Sequence, residues 1–430
     1  MKRHPEWRTI NTSLWQNRNY LRLFNAQIIS LAGSGVTTIG LALFAYQLVG
    51  GASAAAVIGS ALMLRILAFL LFSQLAGVLA DRFNRKTILI AADIVRFALL
   101  ALFPFVTEVW QIYLMIFLIN AATAFFTPVF EASIPTIVGA QHYVKALSFS
   151  RVAADVEAVG APLLAGILIV GLDLKWMFWF DAATYLVSAA LVAATVFPPL
   201  AKSTVAASLQ GFFRQIGYGT RILFREPALR QALMLSVAEA TAGAAAIVAT
   251  VVYVKEVLQL EEIAFTALMA MVGLGSSVAA LSLSRIAARY ERGTPDAAVL
   301  HGKRHRWGML ALFAGGILLS VSLLPGMFKP TLYVFGLLWF ANGIGQALIA
   351  IPSATLLAEH TKEDERGRAY AAHFAWTHAF WLVSYPMTGY GVTKLGAPLT
   401  FTVAGVFCLI IALLAGLMGS GRTAPHEHFP

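Results

Sequence analysis

Three ionisable residues sit where a hydrocarbon slab would surround them. Arg65, Glu157 and Glu239 each lie within a long apolar run. A charge in that setting costs roughly 2.5–3.5 kcal/mol to insert, so each needs a compensating role. Counted at about 1.5 Å per residue from the ends of their runs, all three fall roughly 15 Å deep, near the midplane. A carboxylate at that depth can take up and release a proton, and the change of charge alters its cost of facing a wet or a dry pathway. Arg65 sets the resting charge beside Glu157 and Glu239, and the three together read as a substrate and coupling site. The plainer alternative is that Arg65 and Glu157 only neutralise each other inside a packed bundle.

The neighbouring charges have simpler readings. Arg151 and Asp155 are four apart and share a helix face, which suits an ion pair. Asp155 and Glu157 are two apart, so only one of them enters a common space, and Asp155 stays a candidate for that place. Asp93 and Arg96, three apart, read as a structural pair linked to the loop around Asp81. Glu131 reaches water at a span end, and Asp181 caps or pairs near the other end of its span. His373, Trp376, His378, Trp381 and Tyr385 form an aromatic stretch that suits an organic molecule or helix packing. Its two histidines are five apart, about 140° around a helix, and do not present an i, i+4 metal pair. His378 is the candidate metal or substrate ligand, Trp376 a candidate substrate contact, and His373 a packing residue. His426 and His428, in the tail, make a weak metal trap. The single cysteine, Cys408, lies in an apolar run and excludes a disulfide framework and a thiolate metal centre. There is no phosphate-cradling glycine loop, nucleophile elbow or His-x-x-x-His pair. An enzyme is therefore not expected, and neither is a cofactor.

The elements that hold these residues are membrane spans. The 430 residues are 59% hydrophobic and 12% charged, about half the charge of a soluble domain. Apolar runs of about 20 residues, enough to cross roughly 30 Å of hydrocarbon, recur along the chain. They place spans near 22–48, 54–80, 87–106, 109–138, 146–172 and 175–197. A second set lies near 229–258, 262–288, 307–327, 332–358, 367–393 and 397–419. Residues 1–21 form an N-terminal segment without the pattern of a cleaved signal peptide. Residues 22–197 and 229–419 form two six-helix bundles, and 198–228 an amphipathic linker on the membrane face. Residues 420–430 form a tail.

Of the 31 Lys and Arg residues, Lys175, Lys255, Lys329 and Lys394 fall on loops of one side. Arg65, Arg96 and Arg151 fall within spans, and the other 24 lie on the opposite side. That asymmetry puts both termini in the cytoplasm. The net charge of +10 is spread over short loop clusters facing anionic lipid, so nucleic acid is not an expected partner.

The halves echo each other. Asn120, Pro128, Ala146, Pro162 and Gly166 recur as Asn342, Pro352, Ala369, Pro386 and Gly389, at offsets of 222 to 224. This is a parallel repeat of two six-helix bundles, an arrangement that places substrate between the halves near the midplane. The loop after the second span reads Gly77-Val-Leu-Ala-Asp81-Arg82-Phe-Asn84-Arg85-Lys86. Gly77 permits close helix packing, Asp81 can cap or pair, and Arg82, Arg85 and Lys86 hold the loop inside. The loop resembles the signature G-x-L-A-D-R-x-G-R-K of the major facilitator superfamily, with Asn84 in place of the second glycine.

The resemblance implies that Gly77, Asp81, Arg82 and Arg85 latch the two halves in one state of an alternating-access cycle. Val159-Gly160-Ala-Pro162-Leu-Leu-Ala-Gly166 is similar to a loose antiporter signature, a kink at Gly160, Pro162 and Gly166 where helices pack. Phe180-Asp181-Ala-Ala-Thr-Tyr185 resembles the sixth span of the drug, macrolide and siderophore exporters. Pro104 to Tyr113, Thr127 to Pro135 and Lys145 to Glu157 resemble nickel-resistance exporters within that group. The fourth span lacks the arginine common in proton-coupled drug exporters.

The expected protein is thus an all-α membrane protein of twelve spans with the major facilitator fold. The resemblance implies a monomeric secondary active transporter in the inner membrane. It would couple proton entry to efflux of a small drug-like or siderophore-like organic solute. Export of nickel or cobalt is the alternative, and a non-transporting membrane sensor or scaffold is a further one.

Overall fold

A computed structural model of the chain describes residues 14–197, 209–293, 297–362 and 365–419. Every regular element among them is helical: α1 (Arg18–Val49), α2 (Gly51–Arg82), α3 (Arg85–Leu102), α4 (Val109–Val138), α5 (Ala140–Gly171) and α6 (Lys175–Ala193). After these come α7 (Leu209–Arg225), α8 (Pro227–Val252), α9 (Glu262–Gly293), α10 (Ala297–Leu323), α11 (Leu332–Glu359) and α12 (Arg366–Gly419). Ten helices are long and apolar enough to cross a membrane among the described residues. α12 is 54 residues long but bends at Gly396, where φ is +77°, a value an L side chain rarely adopts. It therefore supplies two spans, 366–395 and 397–419. α5 supplies the remaining one, with Pro162 inside it. Twelve spans result, as the hydropathy pattern requires.

The helices begin where side chains can satisfy the first free N–H groups. Asn17 caps α1 by accepting from the backbone of Asn19 and Tyr20. Asn84, which stands where the family signature has glycine, caps α3 by accepting from the N–H of Lys86. In this chain the departure from the signature is a helix start. α10 begins about ten residues before its expected span and carries Lys303, Arg304 and Arg306 on the extension.

Each half repeats one packing pattern. α1 meets α6, α2 meets α4, and α3 meets α4 and α6. In the second half α8 meets α12, α9 meets α11, and α10 meets α11 and α12. The halves meet where α2 runs along α12 and α5 crosses α9, with α1 and α2 touching α8. Small residues make these crossings possible, because apolar side chains gain no hydrophobic drive from leaving lipid. A Cβ on Gly166 would lie 3.1 Å from the Thr266 hydroxyl of α9. One on Gly389 would lie 2.5 Å from the carbonyl oxygen of Ala55 on α2. The sequence repeat thus appears in space, since its two glycines each sit on the opposite half.

Of the expected linker, the described part is α7. It lies against the first limb of α12: the Arg368 guanidinium covers the Tyr218 ring at 4.2 Å, and Trp376 donates to the Thr220 hydroxyl at 3.1 Å.

Candidate functional site

The seam between the halves, here called the gap, is bordered by α1, α2 and α5 on one side and by α8, α9 and the first limb of α12 on the other. α2 presents Arg65, whose side chain is exposed to that space and donates to the Thr38 hydroxyl of α1 at 3.2 Å. α5 presents Glu157, partly buried against α1. Gly35 makes room for it, since a Cβ there would run into the Glu157 carboxylate and Ala161. Arg65 and Glu157 thus meet α1 about one turn apart, at Thr38 and Gly35, and no ion pair within 4.0 Å forms between them. His378 faces Phe69, one turn along α2 from Arg65, and the Tyr385 backbone lies against Gly59 of the same helix, so these residues share one locality.

Glu239 stands apart from that group. It makes no hydrogen bond or ion pair with any described residue. It shares a face of α8 with Gly243, one turn on, against which the Trp381 ring packs. The Trp381 ring lies tilted beside that of Tyr385, with centroids 5.2 Å apart. The aromatic stretch therefore divides. His378 rests on Phe374 at 3.7 Å, faces Phe69 of α2 at 6.3 Å, and has Nδ1 engaged by the Phe374 carbonyl at 2.9 Å. Trp376, two residues earlier and about 200° around the helix, turns away to α7 and packs on Phe224. His373 is also packed, with its Nε2 buried.

At the end remote from the termini the halves are joined directly. The Tyr46 hydroxyl of α1 donates to the Glu256 carboxylate, just past α8. The Thr393 hydroxyl, 2.9 Å from the Gly389 carbonyl of its own helix, also reaches the Ala52 carbonyl of α2 at 3.1 Å, and within the second half Lys255 holds Glu262 at 2.5 Å at the start of α9.

The side chains of Gly77, Asp81, Arg82, Arg151 and Asp155 lie outside the described residues, as do His426 and His428. Arg85 is described and donates to the Ala132 carbonyl of α4 at 2.6 Å, within its own half. Gly160 has open space around it, whereas Gly166 sits on α9. Asp93 and Arg96 form their pair, buried and backed by Ser188 of α6. Asp181 accepts from Thr37 rather than capping a helix end. No three His, Cys, Asp or Glu side chains gather among the described residues.

One feature escaped the sequence reading. The segment Gly33-Ser34-Gly35-Val36-Thr37-Thr38 on α1 reaches Arg65, Glu157, Asp181 and Tyr185 at once. Two glycines and three hydroxyls within six residues of an apolar run were the available signal.

Comparison with known proteins places this architecture. A family described as Major Facilitator Superfamily matches residues 23–300 and 298–429. An uncharacterized MFS-type transporter, YfiS, of Bacillus subtilis (strain 168) is 25% identical over 358 residues, covering 80% of each chain. Macrolide efflux protein A of Streptococcus pyogenes is 24% identical over 240 residues, 55% of this chain and 56% of that one. Among solved structures, the nucleoside transporter NupG superposes with a TM-score of 0.73 at 14% identity. The match covers 94% of this chain and 100% of that one.

Proposed function

The chain belongs to the Major Facilitator Superfamily, and from that premise we propose that it exports a small organic solute in exchange for protons. The observation that carries this reading is the charge set between the halves. Arg65 stands near Glu157 without closing an ion pair, and Glu239 has no polar partner among the described residues. An ionised carboxylate in that position depends on water or cargo to offset its burial. Proton uptake neutralises it and lets the halves close over it, and proton loss reverses the bias, which is the requirement for coupling.

With the termini in the cytoplasm, the end joined by Tyr46 and Glu256 faces outward and the gap opens inward. The cell inner membrane and a monomer belong to the same reading. Latching by Gly77, Asp81, Arg82 and Arg85 belongs to the opposite, outward-open state.

An organic cargo is favoured by Phe69, Trp381 and Tyr385 around the charges. It is favoured too by relatives named for macrolide efflux and multidrug resistance. Two carboxylates against one guanidinium suit a solute of neutral or positive charge. A divalent cation is disfavoured by Arg65 and by a His378 ring with one nitrogen already engaged.

The test is a transport panel in everted vesicles, with Ni²⁺ and cationic amphiphiles side by side. Energised vesicles should take up an amphiphile and dissipate the proton gradient as they do so. Uptake of Ni²⁺ alone would reverse the choice of cargo, and absence of any transport would favour a sensor or scaffold.

A further inference from the structure

A second set of ionisable groups lies inside the N-terminal half, away from the gap. Asp93 and Arg96 of α3 and Asp181 of α6 are 0%, 2% and 1% exposed. Arg96 pairs with Asp93 and is clamped between the rings of Phe126 and Tyr185, at 4.3 and 4.1 Å. Asp93 also accepts from Ser188 at 2.8 Å. One guanidinium thus faces two carboxyl groups and is committed to one of them. No ion pair within 4.0 Å joins it to Asp181. An unpaired charge at full burial would cost several kcal/mol, more than a hydroxyl contact repays.

The hydrogen bonds around Asp181 carry the same count. Thr37 of α1 donates to Oδ2 at 2.6 Å. Oδ1 lies 3.1 Å from the Thr184 hydroxyl, which gives its own proton to the Asp181 backbone carbonyl at 2.7 Å. A hydroxyl has one proton to give, so Thr184 offers Oδ1 only a shared donor, and Thr37 is the one full donor to this buried carboxyl among the described residues. Gly33 leaves the space for both side chains, because a Cβ there would strike them. The titratable and charged groups around Asp181, among the described residues, are Asp93 and Arg96 from α3 and Tyr185 from its own helix.

We propose that Asp181 is a proton-binding site of the N-terminal half, joined to the gap through α1. The connection runs from Arg65 to the Thr38 hydroxyl and on to the Ser34 carbonyl at 3.0 Å; the Ser34 hydroxyl, which donates to the Ser30 carbonyl at 2.9 Å, accepts from Tyr185 at 2.8 Å, and Thr37 on the same segment donates to Asp181. The Tyr185 ring lies under Arg96. This adds a proton position to the carboxylates of the proposed coupling site. It is read without cargo or transport, so it stands or fails separately from that reading.

Infrared spectra of the full chain in lipid nanodiscs at neutral pH test the assignment. The difference between wild type and Asp181→Asn should show loss of one protonated-acid carbonyl band, displaced in heavy water. Loss of an ionised-carboxylate band instead overturns it. Thr37→Val keeps the carboxyl and removes the donor to Oδ2, so it serves if Asp181→Asn does not fold. The acid band should then move to higher frequency, and an unmoved band contradicts the site.

Discussion

Tyr46 and Glu256 hold the two halves together across the end remote from the termini, the phenol of α1 donating to a carboxylate that follows α8. Glu256 is exposed to solvent, so the bond contributes about 1 kcal/mol. Removing it with Tyr46→Phe should raise the population open at that end about fivefold, since roughly 1.4 kcal/mol is a factor of ten. Spin labels at positions 52 and 393, with the lone Cys408 replaced, would report a longer distance distribution. An unchanged distribution removes this pair from the gate.

Gly166 and Gly389 occupy equivalent places in the repeat but should not tolerate substitution equally. At Gly389 a methyl group meets the backbone of α2, which cannot yield, whereas at Gly166 it meets the Thr266 side chain, which can rotate. Gly389→Ala is expected to destabilise by about 1–3 kcal/mol and Gly166→Ala by less. Thermal unfolding of the purified variants measures the difference, and the reverse order contradicts the crossing geometry.

Two nearby tryptophans should separate binding from docking. Trp381→Ala removes an aromatic surface from the gap and should weaken cargo affinity at least several-fold. Trp376→Ala undocks α7 and should cost about 2 kcal/mol of stability, below the roughly 3–5 kcal/mol of a core tryptophan, while leaving affinity intact. Equal loss of affinity in both variants would place Trp376 at the cargo after all.

Topology is tested by reporter fusions. Fusions after residue 210 and residue 420 should report cytoplasm, and one near Lys255 the outside. A C-terminal reporter active only outside would break the even number of spans.

The spans were legible because an apolar run of membrane length has little choice but to be a helix. The repeat was legible because its prolines and glycines mark kinks and crossings, and Gly166 and Gly389 do lie on the opposite half. Rotation about a helix axis was not readable from residue count. Arg65 and Glu157 come into one locality, while Glu239 faces a different neighbour. Trp376 and His378 separate for the same reason, and α7, which draws Trp376 aside, had no hydropathic signature that fixed its partner. The α1 polar segment was overlooked because hydroxyls and glycines carry no charge for an apolar run to explain.

In the proposed cycle, carboxylates between the halves couple proton movement to export. Proton-driven uptake of a cationic amphiphile into everted vesicles, compared among wild type, Glu157→Gln and Glu239→Gln, tests it most directly. Both substitutions keep side-chain volume and remove the titratable charge. At least one variant should lose driven uptake more than tenfold while still binding the amphiphile. If both pump like wild type at equal expression, these charges are structural and the coupling site lies elsewhere.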